Sequence, residues 1–426
     1  MSHLRSILGK LVLVWFSTLI GLLLLEGALQ IRARFLTPAT APEVVPDERL
    51  GYRPNPNFPG HDSRGWRNSS ALTSADIVIF GDSQTYGVNR SLEAAWPQRV
   101  AALLHRPVYQ MAANGYGPAQ YVLLLEEALA LKPKVVIAAY YYGNDIYDSY
   151  QFMYRVGDLS RSTLLDPVLD SLFASTDLKS REALTRAETI DPELLRRKYL
   201  DCREPIEVPD PRLQVVHDVL ASPPLAQLRN EGMMQRAMAF LTGHSALIKV
   251  LRKRLFTTAA VHPKAEDYWP KLCPRYRDRE LTTLFNPGYR ILALDETDPR
   301  IVEGQRITFL AYQYIAERCR QPRCAFYVAM IPTKETAFRA QASASMRDQP
   351  YMVDLWNIEA RARSNALAFF AREHIATIET LPLLETLIAS NVNPYPEDAD
   401  GHPVEAGYDA IARAVVERLE HDDIGR

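Results

Sequence analysis

Residues 77–87 read IVIFGDSQTYG, and four apolar residues run straight into Gly81, Asp82 and Ser83. A short continuous apolar run of this kind suits a strand buried on both faces of a parallel sheet. A strand that stops on Gly-Asp-Ser is either making a plain strand-to-helix turn or displaying a serine at the rim of the sheet. The segments on either side decide between these.

A strand-helix alternation follows from this stretch. DIVIF is the first strand, SLEAAWPQRVAALLH has helical spacing, PVYQMAA is the second strand and GPAQYVLLLEEALAL the second helix. PKVVIAAYYYGND is a third strand ending in a turn. From 149 to 300 Arg, Asp, Glu and Pro become frequent and the pattern is helical but irregular, which reads as a mostly helical insertion. The alternation resumes with RITFLAYQYIAERC as helix, CAFYVAMIP as strand, VDLWNIEARARSNALAFFAREH as helix and IATIE as strand, and two helices close the chain. Strands alternating with helices imply parallel pairing. The fold class is therefore α/β: a doubly wound α/β/α sandwich of about five parallel strands, with a helical insertion after strand three. The core is expected in two parts, 76–148 and 301–426.

With 426 residues, 47% of them hydrophobic and 23% charged, the chain has material for a substantial core. Its net charge of −2 and the lack of Lys/Arg-rich runs argue against a nucleic-acid partner. The N-terminus stands apart: residues 11–25, LVLVWFSTLIGLLLL, carry no charge, and the apolar stretch reaches Ile31 broken only by Glu26 and Gln30. A bilayer core takes about 20 helical residues, so residues 1–35 read as an N-terminal transmembrane helix, a signal-anchor. A cleaved signal and a buried helix are the alternatives. Arg5 and Lys10 on one side nearly balance Arg32 and Arg34 on the other, so the positive-inside rule hardly discriminates. Residues 36–75, rich in Pro, Asn and Ser, read as a tether leading into irregular structure. The four cysteines favour disulfides over zinc: Cys319 with Cys324 around a small loop, and Cys202 with Cys273. Disulfides belong to an oxidising compartment, which points the globular part away from the cytoplasm.

In doubly wound sheets, ligands bind at the carboxyl ends of the strands. Three unusual turns fall there: Gly81-Asp82-Ser83, Asn114 to Gly117, and Gly143-Asn144-Asp145. A fourth stretch, DADGHP, lies before the last helix and holds His402. Together they have the parts of acyl transfer. A serine hydroxyl needs a base within hydrogen-bond reach, and His402 is the candidate. An oxyanion needs aimed donors, and Ser83 N–H, Gly115 N–H and the Asn144 amide are the candidates. A carboxylate beside the histidine would fix its tautomer. Asp82 reads as holding the turn and Asp145 as capping the next helix.

This constellation resembles the SGNH (GDSL) hydrolase superfamily, in the blocks GDSQTYG with Ser83, NGYG with Gly115, GND with Asn144 and DGHP with His402. The resemblance covers 76–148 and 301–426. It implies a flavodoxin-like fold and a serine esterase or acyltransferase. With the N-terminal helix and the segments LGYRPNPN and SRGWRN, the layout looks like membrane-anchored bacterial members linked to envelope polysaccharides. The sequence departs from the family at the acid. The family usually has Asp three residues before the histidine, where this chain has Ala399. Asp400 is favoured, Asp398 is the runner-up, and a Ser–His dyad is the third arrangement.

Lys334 in IPTKE and Arg67 in DSRGWRN are candidate substrate contacts near the cleft. The histidines at 61, 105, 217, 244 and 374 make no ligand spacing, and neither GxxxxGK[ST] nor GxGxxG occurs. No metal and no nucleotide cofactor are expected. The expected activity is an SGNH-type ester hydrolase acting on O-acyl, foremost O-acetyl, esters of an envelope or extracellular carbohydrate, from a single-pass membrane protein with its globular domain in the periplasm. A lipid esterase or thioesterase using the same residues is one alternative. A non-catalytic glycan-binding or scaffold protein of a polysaccharide assembly system is the other.

Overall fold

The computed structural model describes Ser17, Gly21 and residues 41–155, 167–173, 273–320 and 324–424. The chain divides into two units, Met1–Thr40 with Pro205–Ala265, and Ala41–Glu204 with Glu266–Arg426. The strands and helices named below belong to the second. The anchor expected over 1–35 and most of the insertion expected over 149–300 lie outside the described residues. Among the described residues, no helix is long and apolar enough to cross a membrane.

A small antiparallel pair, β1 (Val44–Asp47) and β2 (Gly51–Pro54), precedes the main sheet. Then come β3 (Ile77–Gly81), α1 (Ser83–Tyr86), α2 (Trp96–Leu104), β4 (Val108–Ala112), α3 (Pro118–Leu129), β5 (Val135–Tyr141), α4 (Asp145–Arg155) and α5 (Pro167–Phe173). Further along the chain lie a hairpin, β6 (Arg275–Asp278) and β7 (Leu281–Leu284), then α6 (Pro287–Leu292) and α7 (Pro299–Arg320). The core finishes with β8 (Ala325–Ile331), α8 (Lys334–Ala337), α9 (Ala344–Arg347), α10 (Pro350–Arg372), β9 (Ala376–Glu379), α11 (Leu381–Ala389) and α12 (Glu405–His421).

The five strands β3, β4, β5, β8 and β9 form one parallel sheet in the order β4-β3-β5-β8-β9. Counted along the chain this is 2-1-3-4-5, the flavodoxin-like order, with its switch point between β3 and β5. All five expected strands are present, with ends shifted by a residue or two. The hairpin β6–β7 was not expected; it falls within the segment read as mostly helical.

Side-chain alternation along β3 sorts the two faces. Val78 and Phe80 join Met111, Val136, Val328 and Met330 under α3, α7 and α10. Ile77 and Ile79 join Val135, Ile137 and Ala329 under α2 and α12, where Trp96, Val100, Ile411 and Val415 cover them. Every residue of β3, β4 and β5 is buried, which explains why these strands read as unbroken apolar runs. Truncating such a residue, as in Ile79→Ala, costs roughly 2–5 kcal/mol. This two-sided packing fixes the strand ends from which the site is built.

The disulfide expected between Cys319 and Cys324 is not formed. Both are buried free thiols, and Cys324 Sγ donates to the Cys319 carbonyl at 3.5 Å. Cys273 is disulfide-bonded.

Candidate active site

At the end of β3 the backbone turns so sharply that a Cβ on Gly81 would sit 1.9 Å from Thr85 Oγ1. Only glycine fits there. Asp82 is the N-cap of α1 and accepts from Gln84 N–H at 2.9 Å. Ser83 is thus the first residue of the helix, half-buried at the carboxyl edge of the sheet. The neighbouring strand ends in register, Gly81 against Ala112, and Ala113 N–H extends the ladder to the Gly81 carbonyl at 3.3 Å. The chain then reaches Gly115 on the same edge. Gly115 has φ +73 and is exposed, and a Cβ there would meet Tyr52 Oη at 3.0 Å. Tyr52, from β2, donates its hydroxyl to the Asn114 carbonyl and so fastens this turn.

Asn144 follows β5 and its carbonyl accepts from Asp148 N–H at 2.8 Å, opening α4. Its Oδ1 is buried without a hydrogen-bond partner, while its side chain faces Asp82. Asp145 accepts from Tyr141 N–H at 2.9 Å, tying the helix back to the strand it follows. Burial raises the Asp82 carboxyl, against the opposing pull of the Gln84 N–H, His402 and Asn144. Burial, and then repulsion from Asp82, pushes Asp145 and Asp148 well above the ordinary carboxylate range.

The segment before α12 crosses to Ser83 from the far end of the chain. His402 Nε2 lies 2.8 Å from Ser83 Oγ. Its Nδ1 lies 2.6 Å from Asp400 Oδ1, and the same oxygen accepts from His402 N–H at 3.1 Å. Burial raises the Asp400 carboxyl, but hydrogen bonds from the His402 ring, the charge of that ring, the His402 N–H and the Asn89 amide outweigh it and hold it well below its usual range. With Nδ1–H donated to Asp400, Nε2 presents a lone pair to the serine hydroxyl. That is the geometry a serine needs to lose its proton on attacking a carbonyl.

The runner-up acid does not reach the ring. Asp398 is exposed, and its Oδ1 accepts from Asp400 N–H at 2.9 Å. Ala399, where the resemblance would put the acid, is buried at 4% exposure. The turn Asp398-Ala399-Asp400 sends the second carboxylate to the imidazole and bends the first back onto the chain.

The two candidate substrate contacts are placed otherwise than expected. Lys334 is completely buried, so its ammonium is shut off from solvent. It donates to the main-chain carbonyls of Asp398 at 2.7 Å and Asp400 at 2.9 Å. Arg67 donates Nη1 to the carbonyls of Tyr86 at 2.6 Å and Gly87 at 2.7 Å, and Nη2 to that of Arg90. It clamps the loop after α1 instead of offering its guanidinium to the cleft. Tyr140, Tyr141 and Tyr142 are core residues, each at most 2% exposed.

Three contributors were not foreseen. Asn89, at the tip of the loop that Arg67 clamps, donates its amide to Asp400 Oδ2 at 3.2 Å. Gln84 donates to the Gly401 carbonyl at 3.3 Å, joining the serine turn to the histidine loop. Tyr52 comes from the segment read as a tether. Only the left-handed backbone at Asn89, φ 62, had a sequence correlate, since Asn tolerates that region better than most residues.

No family model matches the chain, and no curated protein matches it. Among solved structures, the chain is similar to a protein of the G-D-S-L family from Desulfitobacterium hafniense DCB-2, at 10% identity and TM-score 0.34, covering 81% of this chain and 99% of that one. It is also similar to a GDSL-like lipase from Bacteroides thetaiotaomicron VPI-5482, at 9% identity and TM-score 0.31, covering 81% of this chain and 88% of that one. Likeness at this level carries no functional argument. Fold and site together define a flavodoxin-like α/β protein with a Ser–His–Asp constellation at its topological switch point. The functional reading rests on that constellation.

Proposed function

We propose that this chain is a serine ester hydrolase of the SGNH type. The observation that carries this reading is the contact of His402 Nε2 with Ser83 Oγ at 2.8 Å while Asp400 holds Nδ1 at 2.6 Å. Ser83 Oγ attacks the ester carbonyl carbon as His402 Nε2 takes the hydroxyl proton. The imidazolium formed is stabilised by Asp400. The tetrahedral oxyanion is received by Ser83 N–H, Gly115 N–H and the Asn144 side chain. Collapse expels the alcohol, which takes the proton back from His402, and leaves an acyl-serine. Water, or a second hydroxyl, repeats the sequence in reverse and frees the serine. A carboxylate, Asp400, in contact with His402 supports the catalytic reading over the non-catalytic alternative.

The substrate to test first is an O-acetyl ester of an envelope or extracellular carbohydrate, met by a membrane-anchored protein outside the cytoplasm. This part of the proposal comes from the sequence layout alone. The full chain is treated with a fluorophosphonate probe and assayed on p-nitrophenyl esters of increasing acyl length, beside Ser83→Ala and His402→Ala. Labelling that disappears in Ser83→Ala, with turnover lost in both variants, is the expected result. A folded wild type that is neither labelled nor active would overturn the reading. Preference for acetyl over long chains favours the carbohydrate ester, and the reverse favours a lipid ester.

A further inference from the structure

We propose that Lys334 is a positioning residue for the catalytic histidine: its buried ammonium bridges the carbonyls of Asp398 and Asp400 and so sets the turn that aims His402 at Ser83. The inference rests on the esterase reading of the site.

An ammonium with no solvent exposure is costly unless it is paired and hydrogen-bonded, and an apolar residue of similar volume is often no worse for stability. A lysine at this position therefore calls for a role beyond filling space. Its base is rigid. Thr333 caps α8, and both its N–H, at 3.0 Å, and its hydroxyl are held by Glu359 of α10. The Trp356 indole donates to the Glu335 carbonyl at 2.8 Å. Glu335 in turn receives Asn286 N–H at 2.8 Å. The ammonium is thus presented from the end of a central strand as a fixed point.

What it holds is an irregular turn. The loop between α11 and α12 has no ladder partner near Asp400. Toward the hairpin it is tied by Asn393 Nδ2 to the Thr282 carbonyl at 3.0 Å and by the Thr283 hydroxyl to the Pro396 carbonyl at 2.6 Å, and Val404 N–H bonds to the Pro394 carbonyl at 2.9 Å; around Asp400 itself the ties are the two Asp side-chain turns, the His402 ring, Gln84, Asn89 and Lys334. The Asp398 and Asp400 carbonyls flank Ala399, so two bonds from one nitrogen fix the peptide planes on either side of the turn. Those planes decide which carboxylate meets the imidazole. The charged groups acting on Lys334 are Glu335 of its own helix, Arg290 of α6, and Asp398 and Asp400 of the loop. Burial lowers its pKa to about 8, Glu335 opposes this, Arg290 adds to it, and the two aspartates oppose it. Above that pH the amine loses a proton and its charge-assisted hold on the carbonyls weakens.

The test uses full-length Lys334→Met alone and combined with Asp400→Ala. It reads kcat and KM on p-nitrophenyl acetate, together with the low-field proton resonance of His402 Nδ1–H, identified by its loss in Asp400→Ala. Expected are a folded Lys334→Met protein, a fall in kcat of about tenfold or more with KM within about twofold, and a displaced resonance. In the Asp400→Ala background the same substitution costs under about threefold, because the two act as a unit. Unchanged kcat with an unmoved resonance, or an equal fall in both backgrounds, would overturn the proposal. Should Lys334→Met not fold, the wild type carries the test: kcat falls through the region of pH 8 to 10, and a flat profile there refutes the clamp. If the wild type has no esterase activity, the esterase reading fails on that result, while the resonance still reports whether Lys334 sets the ring.

Discussion

Asn89 and His402 hold opposite oxygens of the same carboxylate. Asn89 donates to Asp400 Oδ2 at 3.2 Å, and the imidazole sits on Oδ1 at 2.6 Å. Removing the amide while sparing the left-handed backbone, as Asn89→Gly does, takes away one charge-assisted bond at a largely exposed position. The expected effect is a fall in kcat of about three- to tenfold and a rise in the Asp400 pKa. Carbon-detected NMR of the carboxylate measures the second quantity. An unchanged carboxylate titration would show that Asn89 is incidental.

Asp400 and Asp398 should differ by orders of magnitude. The orienting acid of a serine triad is worth about 10⁴ in rate. Asp400→Ala should therefore lower kcat/KM by about 10³–10⁴, and Asp398→Ala, which removes only the cap on Asp400 N–H, by under about tenfold. Parallel assays on p-nitrophenyl acetate decide it. Equal losses would mean that the turn, and not the carboxylate at 400, is what matters.

On the oxyanion side, Asn144→Ala should cost about 10²–10³ in kcat with little change in KM. Gly115→Ala meets two obstacles, a φ of +73 and the Tyr52 hydroxyl 3.0 Å from the new Cβ. It should lower stability by about 1–2 kcal/mol as well as lowering kcat. Replacing Tyr52 by Phe in that background removes the close oxygen, and partial recovery would tie the defect to that contact.

Lys334 has a pKa lowered by burial, so its linkage runs in the less familiar direction. Below about pH 8 the group is charged in both states and the folded protein bears the burial penalty. Between about 8 and the unfolded value near 10.4 the unfolded chain binds more protons, and stability rises with pH. The rise is of order 3 kcal/mol at most, and is seen as the difference between wild-type and Lys334→Met denaturation curves at each pH. Stability rising while kcat falls over one pH range is a pattern that a lysine serving only to hold the fold together would not produce.

The sheet was readable because β3, β5 and β8 are near-continuous apolar runs, and β3 and β5 end in turns of distinct composition. Ser83, Gly115 and Asn144 were readable for the same reason, since strand ends are where a doubly wound sheet gathers its chemistry, and His402 from the DGHP stretch before the last helix. Other features depend on contacts between remote segments. Lys334 in IPTKE looks like a solvent-facing cation until the histidine loop closes over it. Choosing Asp400 over Asp398 required the direction of one turn. The hairpin β6–β7 has the sequence RYRD-RE-LTTL, with too few apolar residues to stand out from its polar surroundings. It is Tyr276 and Leu281, packed on Phe338 and Trp356, that hold it.

Ser83 and His402 are separated by 319 residues of chain. A ribosome adding roughly 5–20 residues per second needs roughly 16–64 s to travel from one to the other. For most of that interval the serine is already made and its strand can already pair with β4 and β5, yet the imidazole of this site has not been made. The nascent polypeptide therefore carries a dormant hydroxyl until almost its last residues emerge. Any fragment that stops short of His402, through premature termination or proteolysis, lacks the base of this site however well its sheet has formed.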